Sequence, residues 1–315
     1  MSIKSFLNYI SAILCGSFIC LFFNMVNYPA ELNPDISNYY NNFISKNWSY
    51  DIGYEFYQSL LRDLLGLNFQ QFWLVTLFLI CFFFFLISYK IEKLPFLVVN
   101  FIFLSEVFGT QVRFFLGGVV FIFLLNTKKG KLQTILLFIT SLLHYGLILL
   151  FVLHLFLTWL LKTFSIEHIL KLRYKVVLGA CASFFISKAV VIYLLPFTRF
   201  SYYLDSFYLE SKSFISFLYA IAQFVIMFVF ITSYAGRINQ NYKDKYISLF
   251  NIILLLLIIS TSSVAVLSGR YLLINIIMES ITASVIARYN VSLFILYFFI
   301  SLIKLFPYVY SLVLN

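Results

Sequence analysis

Ten apolar runs, nine of them 14 to 21 residues long and one of 30, follow one another through this chain of 315 residues. A soluble domain of that size has too little interior to hide so much apolar surface. With 63% hydrophobic and only 11% charged residues, and a mean hydropathy of +0.97, the composition also excludes a disordered chain. In hydrocarbon a helix satisfies its own backbone, so the sequence predicts an all-α, polytopic membrane protein forming one integral membrane domain over residues 1–315.

The runs are Phe6–Val26, Phe72–Tyr89, Pro95–Phe108, Val112–Leu125, Leu132–Leu161, Val176–Leu195, Phe214–Tyr234, Ile247–Leu267, Tyr271–Ala287 and Val291–Phe306. Lys4 ahead of the first run has the look of a signal peptide. No small-residue cleavage site follows it, so the run is kept as a span. Between Asn27 and Gln71 lies the longest polar loop. Pro95–Phe108 and Val112–Leu125 have 14 residues each, short of the roughly 20 that a full crossing needs, whereas Leu132–Leu161 has 30.

Basic residues decide how the long run is threaded. Lys128, Lys129 and Lys131 precede it, and Lys162, Lys171, Arg173 and Lys175 follow it. If both clusters are cytoplasmic, the run crosses an even number of times and folds back near His144-Tyr145-Gly146. The preceding pair then folds back at Gln111-Val112-Arg113. The result is about 11 transmembrane segments, including two short-helix hairpins, with the N-terminus inside and the C-terminus outside. In this threading the inner face carries 14 Lys and Arg and 3 acids, and the outer face 8 of each, with Glu279 left mid-span. The net charge of +10 therefore orients the chain in the bilayer and implies no nucleic-acid partner. Cys15, Cys20, Cys81 and Cys181 all sit in apolar runs and read as packed hydrophobes.

The outer loop has internal pattern. From Asp51 to Phe69, Phe56, Leu60, Leu64 and Leu67 form one helical stripe opposite Glu55, Gln58, Ser59, Arg62 and Asp63, which predicts an amphipathic helix lying on the outer membrane surface. Asp35, Asp51 and Glu55 supply carboxylates among aromatics; the plain reading is of solvated loop acids. The 23 tyrosines cluster at span ends and in outer loops (Tyr39, Tyr40, Tyr50, Tyr54, Tyr57, Tyr202, Tyr203, Tyr208), as an interfacial belt or as platforms for sugar rings.

Chemistry-bearing residues collect at the same outer level. Arg113 stands at the tip of the first short hairpin, where it either pairs with Glu106 or offers a fork of donors to a phosphate. His144 stands at the tip of the second hairpin. Arg270 follows Ser268-Gly269, and Arg199 follows Pro196 in another outer loop. Three outer arginines and a histidine suit a diphosphate. Glu279 is an intramembrane acid with Asn275 one turn away. His154 and His168 receive no role.

In order and spacing these features resemble the EpsG-like branch of the Wzy-type bacterial polysaccharide (O-antigen) polymerases. The resemblance rests on Asp35 with Tyr39-Tyr40, then Asp51-Ile52-Gly53-Tyr54-Glu55, Gln111-Val112-Arg113 opening a short span, and Leu143-His144 about thirty residues on. It continues with Ser268-Gly269-Arg270-Tyr271 and Pro307-Tyr308. Phe114 and Phe115 stand where the family often has glutamine and small residues, and Asp51 where it commonly has glutamate. The resemblance implies a C-type glycosyltransferase-like helical bundle in the bacterial inner membrane, working without metal or other cofactor at the periplasmic face. Its substrate would be an oligosaccharide linked to undecaprenyl diphosphate, and its further partners the lipid bilayer and a chain-length regulator. By the same resemblance Arg113, Arg270 and Arg199 bind the diphosphate, while His144, Asp51 or Glu55 assists deprotonation of the acceptor hydroxyl.

A lipid-linked glycan flippase or proton-coupled transporter is the rival reading. It calls for repeated halves and matched mid-span polar residues, and the sequence shows no repeat. A membrane acyltransferase would want a His or Arg in an early helix, which Phe6–Val26 lacks. A purely structural subunit leaves the outer arginines without a role.

Overall fold

A computed structural model describes residues 3–28, 33, 35–88, 93–104, 110–127, 130–164, 193, 197, 214–262 and 265–306. Glu106, His168, Cys181, Arg199, Tyr202, Tyr203, Tyr208, Pro307, Tyr308 and nearly all of the run Val176–Leu195 lie outside them.

All regular structure among the described residues is helical. Five helical segments there are long and apolar enough to cross a membrane: Phe6–Met25, Phe69–Ser88, Tyr145–Thr163, Phe217–Asn239 and Ser268–Ala287. Val112–Asn126, Lys131–Ser141 and Val291–Leu305 are apolar but shorter. The chain is thus a helical membrane protein. Its contacts divide it into two compact units, Met1–Leu153 and His154–Asn315, described separately below.

In the first unit α1 (Ile3–Asn27) packs along α4 (Phe69–Ser88). A small residue makes this close approach: a Cβ on Gly16 would stand 3.2 Å from the backbone of Phe82. Cys20 is buried and gives its thiol hydrogen to the Leu74 carbonyl at 3.2 Å, so it is a packed residue, as is the buried Cys81. The opposite side of α1 exposes Leu14, Phe18 and Met25, the face suited to acyl chains. Phe72, Trp73, Leu77, Ile80 and Phe84 of α4 are fully buried, and α4 also packs on α6 (Val112–Thr127). Before α6 come α5 (Leu94–Leu104) and a bend at Gln111, whose φ of +44° ends any continuous helix.

The 30-residue run breaks where the charge argument places its turn. Helix α7 (Lys131–Ser141) stops short of His144, which is extended at φ −155° and ψ 122°. A 3₁₀ turn over Tyr145–Leu147 then leads into α8 (Ile148–Thr163). Phe138 and Phe151, thirteen positions apart, have ring centroids 5.4 Å apart. In a straight helix thirteen residues span about 20 Å, so the chain bends sharply here. The arms are unequal: α7 has 11 residues, whereas Tyr145–Thr163 has 19 and is long enough to cross alone.

Between α1 and α4 the polar loop folds into α2 (Asp35–Ser45) and α3 (Ile52–Ser59), the latter running on as a π-turn over Leu60–Leu64. The amphipathic helix expected over Asp51–Phe69 is therefore present in shortened form, and its polar face is corrected. Phe56, Leu60 and Leu64 are exposed, as a lipid-facing stripe should be, but Glu55 and Gln58 are fully buried instead of facing water. Sequence period locates a stripe; it does not say which side the rest of the protein covers.

In the second unit α9 (Phe214–Asn239), α10 (Tyr242–Ser260), α11 (Ala265–Ala287) and α12 (Val291–Leu302) pack together, followed by a 3₁₀ turn over Ile303–Leu305. The Asn241 side chain caps α10 through Lys243 N–H, and that of Asn290 caps α12 through Leu293 N–H at 2.9 Å. Helix α11 lies at the centre of this unit, buried on all sides although Asn275, Glu279, Ser280, Thr282 and Ser284 lie along it.

Candidate functional site

Asp51 joins three separate pieces of the first unit. Lying just before α3, it accepts a hydrogen bond from Arg113 Nη1 at Oδ2, and at Oδ1 from the backbone N–H of Tyr145 at 3.0 Å. Arg113 sits in the first turn of α6, and Tyr145 opens the 3₁₀ turn after His144. One carboxylate thus ties the loop between α1 and α4 to both turn regions that the sequence places side by side. A second tie is backbone: Gly53 N–H donates to the Leu142 carbonyl at 3.0 Å. The reading of Asp51 and Glu55 as solvated acids is overturned, because both are buried and bonded. Arg113 has Asp51 as its ion-pair partner; Glu106 lies outside the described residues.

Rings hold the guanidinium in place. Arg113 lies 4.0 Å from the centroid of Tyr50 and 6.0 Å from that of Tyr54, within cation–π range. Tyr39, Tyr50, Tyr54 and Trp73 pack ring to ring. Tyr39 and Tyr54 are buried, so they form the floor of the site and not a platform for sugars. Burial pushes the Tyr50 phenol up to about 12 and raises those of Tyr39 and Tyr54, although Arg113 pulls each of them down. These hydroxyls stay protonated near neutral pH and act through hydrogen bonds and ring faces, not as bases.

Glu55 is the second buried carboxylate. Its Oε1 accepts from Tyr50 N–H at 2.8 Å and from Asn42 Nδ2 at 3.1 Å. Asn42 is a hub: Nδ2 also reaches the Asn47 carbonyl (2.7 Å) and Ser49 Oγ (2.6 Å), while its Oδ1 accepts from Gln58 Nε2 at 2.8 Å. Sequence reasoning passed over Asn42. The available signal is an asparagine on the buried stripe of α2 formed by Ile36, Tyr39 and Phe43. Asn42→Ala should strip partners from buried Glu55 and Gln58 and cost about 1–3 kcal/mol, seen as a lowered melting midpoint in detergent. An unchanged midpoint would contradict the hub assignment.

His144 lies beside this cluster, its ring 5.1 Å from that of Phe114 in an edge-to-face contact. Its Nδ1 accepts the Gly146 N–H at 2.9 Å. A nitrogen that accepts carries no hydrogen, so the neutral ring holds its proton on Nε2 and presents a donor there. Among the described residues no group of three His, Cys, Asp or Glu side chains is placed to hold a metal ion.

The second unit holds a different polar set. Glu279 on α11 forms a fully buried ion pair with Lys304 of the terminal 3₁₀ turn. Gln223 on α9 donates to Glu279 Oε1 at 2.8 Å, Asn275 donates to Gln223 at 2.7 Å, and Asn251 on α10 donates to Asn275 at 2.9 Å. Glu279, expected to stand nearly alone at mid-span, is therefore paired, and Lys304, counted with the outer face, is drawn inside to meet it. The reason is electrostatic: neither charge is tolerable in hydrocarbon without the other. Arg270 lies in the second turn of α11, behind Ser268, whose hydroxyl bonds the Ile258 carbonyl at 3.2 Å. Arg113 and Arg270 belong to different units, and Arg199 lies outside the described residues. No protein-family model, no curated protein and no solved structure matches the chain.

Proposed function

We propose that the chain is a polysaccharide polymerase of the inner membrane, moving a glycan chain from its undecaprenyl diphosphate carrier onto the next lipid-linked repeat unit at the outer face. The reading includes about 11 spans and an outward-facing site. The observation that supports it best is the assembly of Arg113, Asp51 and the His144-Tyr145 turn into one polar cluster in the first unit. A diphosphate is already a good leaving group, so the protein's task is to stabilise its departure and to hold an acceptor hydroxyl in line. Arg113 neutralises the departing diphosphate. His144 donates from Nε2 to the departing oxygens, because its Nδ1 is already engaged. The acceptor proton goes to a carboxylate of the pair Asp51 and Glu55.

The test is a polymer-ladder assay on cells or proteoliposomes supplied with lipid-linked repeat units. Arg113→Ala should remove the ladder, a fall of at least about a hundredfold for a lost charge-stabilising group, and His144→Ala should shorten it severely. Full-length chains from both variants would overturn the reading. The buried Glu279–Lys304 pair is what a proton-coupled transporter would use, so substrate uptake without polymer would favour that rival.

A further inference from the structure

Asp51 makes both of its bonds to groups that serve equally well for a phosphate. One is a guanidinium nitrogen, Arg113 Nη1; the other is the backbone N–H of Tyr145, 3.0 Å from Oδ1. The two carboxylate oxygens stand where two oxygens of one phosphoryl group would stand. The Arg113 Nε hydrogen is buried and meets no acceptor, so the guanidinium has a further donor to give. A carboxylate engages this seat incompletely.

We propose that Asp51 is a resident stand-in for the ligand: it fills an anion seat made by Arg113 and the Tyr145 N–H, and a diphosphate displaces it on binding. This deepens the polymerase reading and rests on it for the identity of the lipid carrier, but the seat and its occupant are defined by the local geometry alone. The carboxylate keeps a partly buried guanidinium compensated while the site is empty. Displacement exchanges one anion for another over the same two donors, so the Arg113 guanidinium keeps a counter-charge at either stage. It also frees the Asp51 carboxylate beside the incoming diphosphate, where an acceptor hydroxyl has to lose its proton. Arg113 remains clamped by Tyr50 at 4.0 Å throughout, which fixes the plane of the donors.

The seat makes a gain-of-binding prediction. Inorganic pyrophosphate is titrated into the full-length protein in detergent or nanodiscs, followed by calorimetry and by the shift in melting midpoint. With its competitor neutralised, Asp51→Asn should bind at least tenfold tighter than the wild type, and Asp51→Ser should do the same. Adding Arg113→Met to either variant should abolish the gain. Equal or weaker binding by folded Asp51→Asn and Asp51→Ser overturns the proposal. So does a loss of fold in both variants that pyrophosphate fails to rescue, since Asp51 would then be a fixed clasp. A wild type that makes polymer, together with variants that gain no affinity, would sink the seat and leave the polymerase reading intact. Tighter binding with no polymer from the wild type would do the reverse.

Discussion

Replacing Lys304 by Met should destabilise the second unit by about 3–5 kcal/mol, the cost of stranding one member of a buried ion pair. Glu279 is fully buried on the central helix α11, and the Lys304 ammonium is its counter-charge, itself 5.7 Å from the Tyr219 ring. Without that ammonium the carboxylate keeps donors such as Gln223 at 2.8 Å but loses its counter-charge, and a full negative charge is left in a dry interior. The double variant Glu279→Gln/Lys304→Met provides the control. A neutral amide can still accept from Gln223, and methionine refills the space of the lysine stem. Much of the lost stability should therefore return in the double variant. Unfolding equilibria in mixed micelles measure both, and a Lys304→Met protein within about 1 kcal/mol of wild type would refute the account.

The two ion pairs show what the sequence could and could not reveal. The break at His144 was legible because two basic clusters flank an apolar run too long for one crossing, and charge topology needs no knowledge of packing. Arg113 was legible as the opening residue of a short helix. Its partner was not: Asp51 lies 62 positions earlier, in a loop whose acids look solvated. Hydropathy period reports which residues share a face. It carries nothing about which face a distant segment will cover, and that is why the polar side of α3 was read as wet. Lys304, like Asn42, was a missed partner with a usable signal. An intramembrane acid demands a cation, and Lys304 is the only lysine or arginine in the apolar run Val291–Phe306. The eleven-span count goes further than the five long apolar helical segments among the described residues, because short paired helices are inferred from topology and not from length.

Gly53→Ala should damage the first unit's site more than its position at the start of the short helix α3 suggests. A Cβ at residue 53 would stand 2.6 Å from the carbonyl carbon of Leu142 and 2.7 Å from its oxygen. Both are backbone atoms at the end of α7, so no side chain can swing aside. The Gly53 N–H also donates to that same carbonyl at 3.0 Å, so pushing the segments apart breaks the bond as well. Overpacking of this kind costs about 1–3 kcal/mol, with the lost hydrogen bond adding about 1. The more specific consequence is geometric. Gly53 and Leu142 are two residues away from Asp51 and His144 respectively, so a shift of a few tenths of an ångström pulls Asp51 Oδ1 from the Tyr145 N–H. On the polymerase reading, Gly53→Ala should lower polymer yield at least as steeply as its loss of melting midpoint, and Gly53→Val should abolish it. If Gly53→Ala retains full yield and stability, the close approach of α3 to the His144 turn is not what assembles the site.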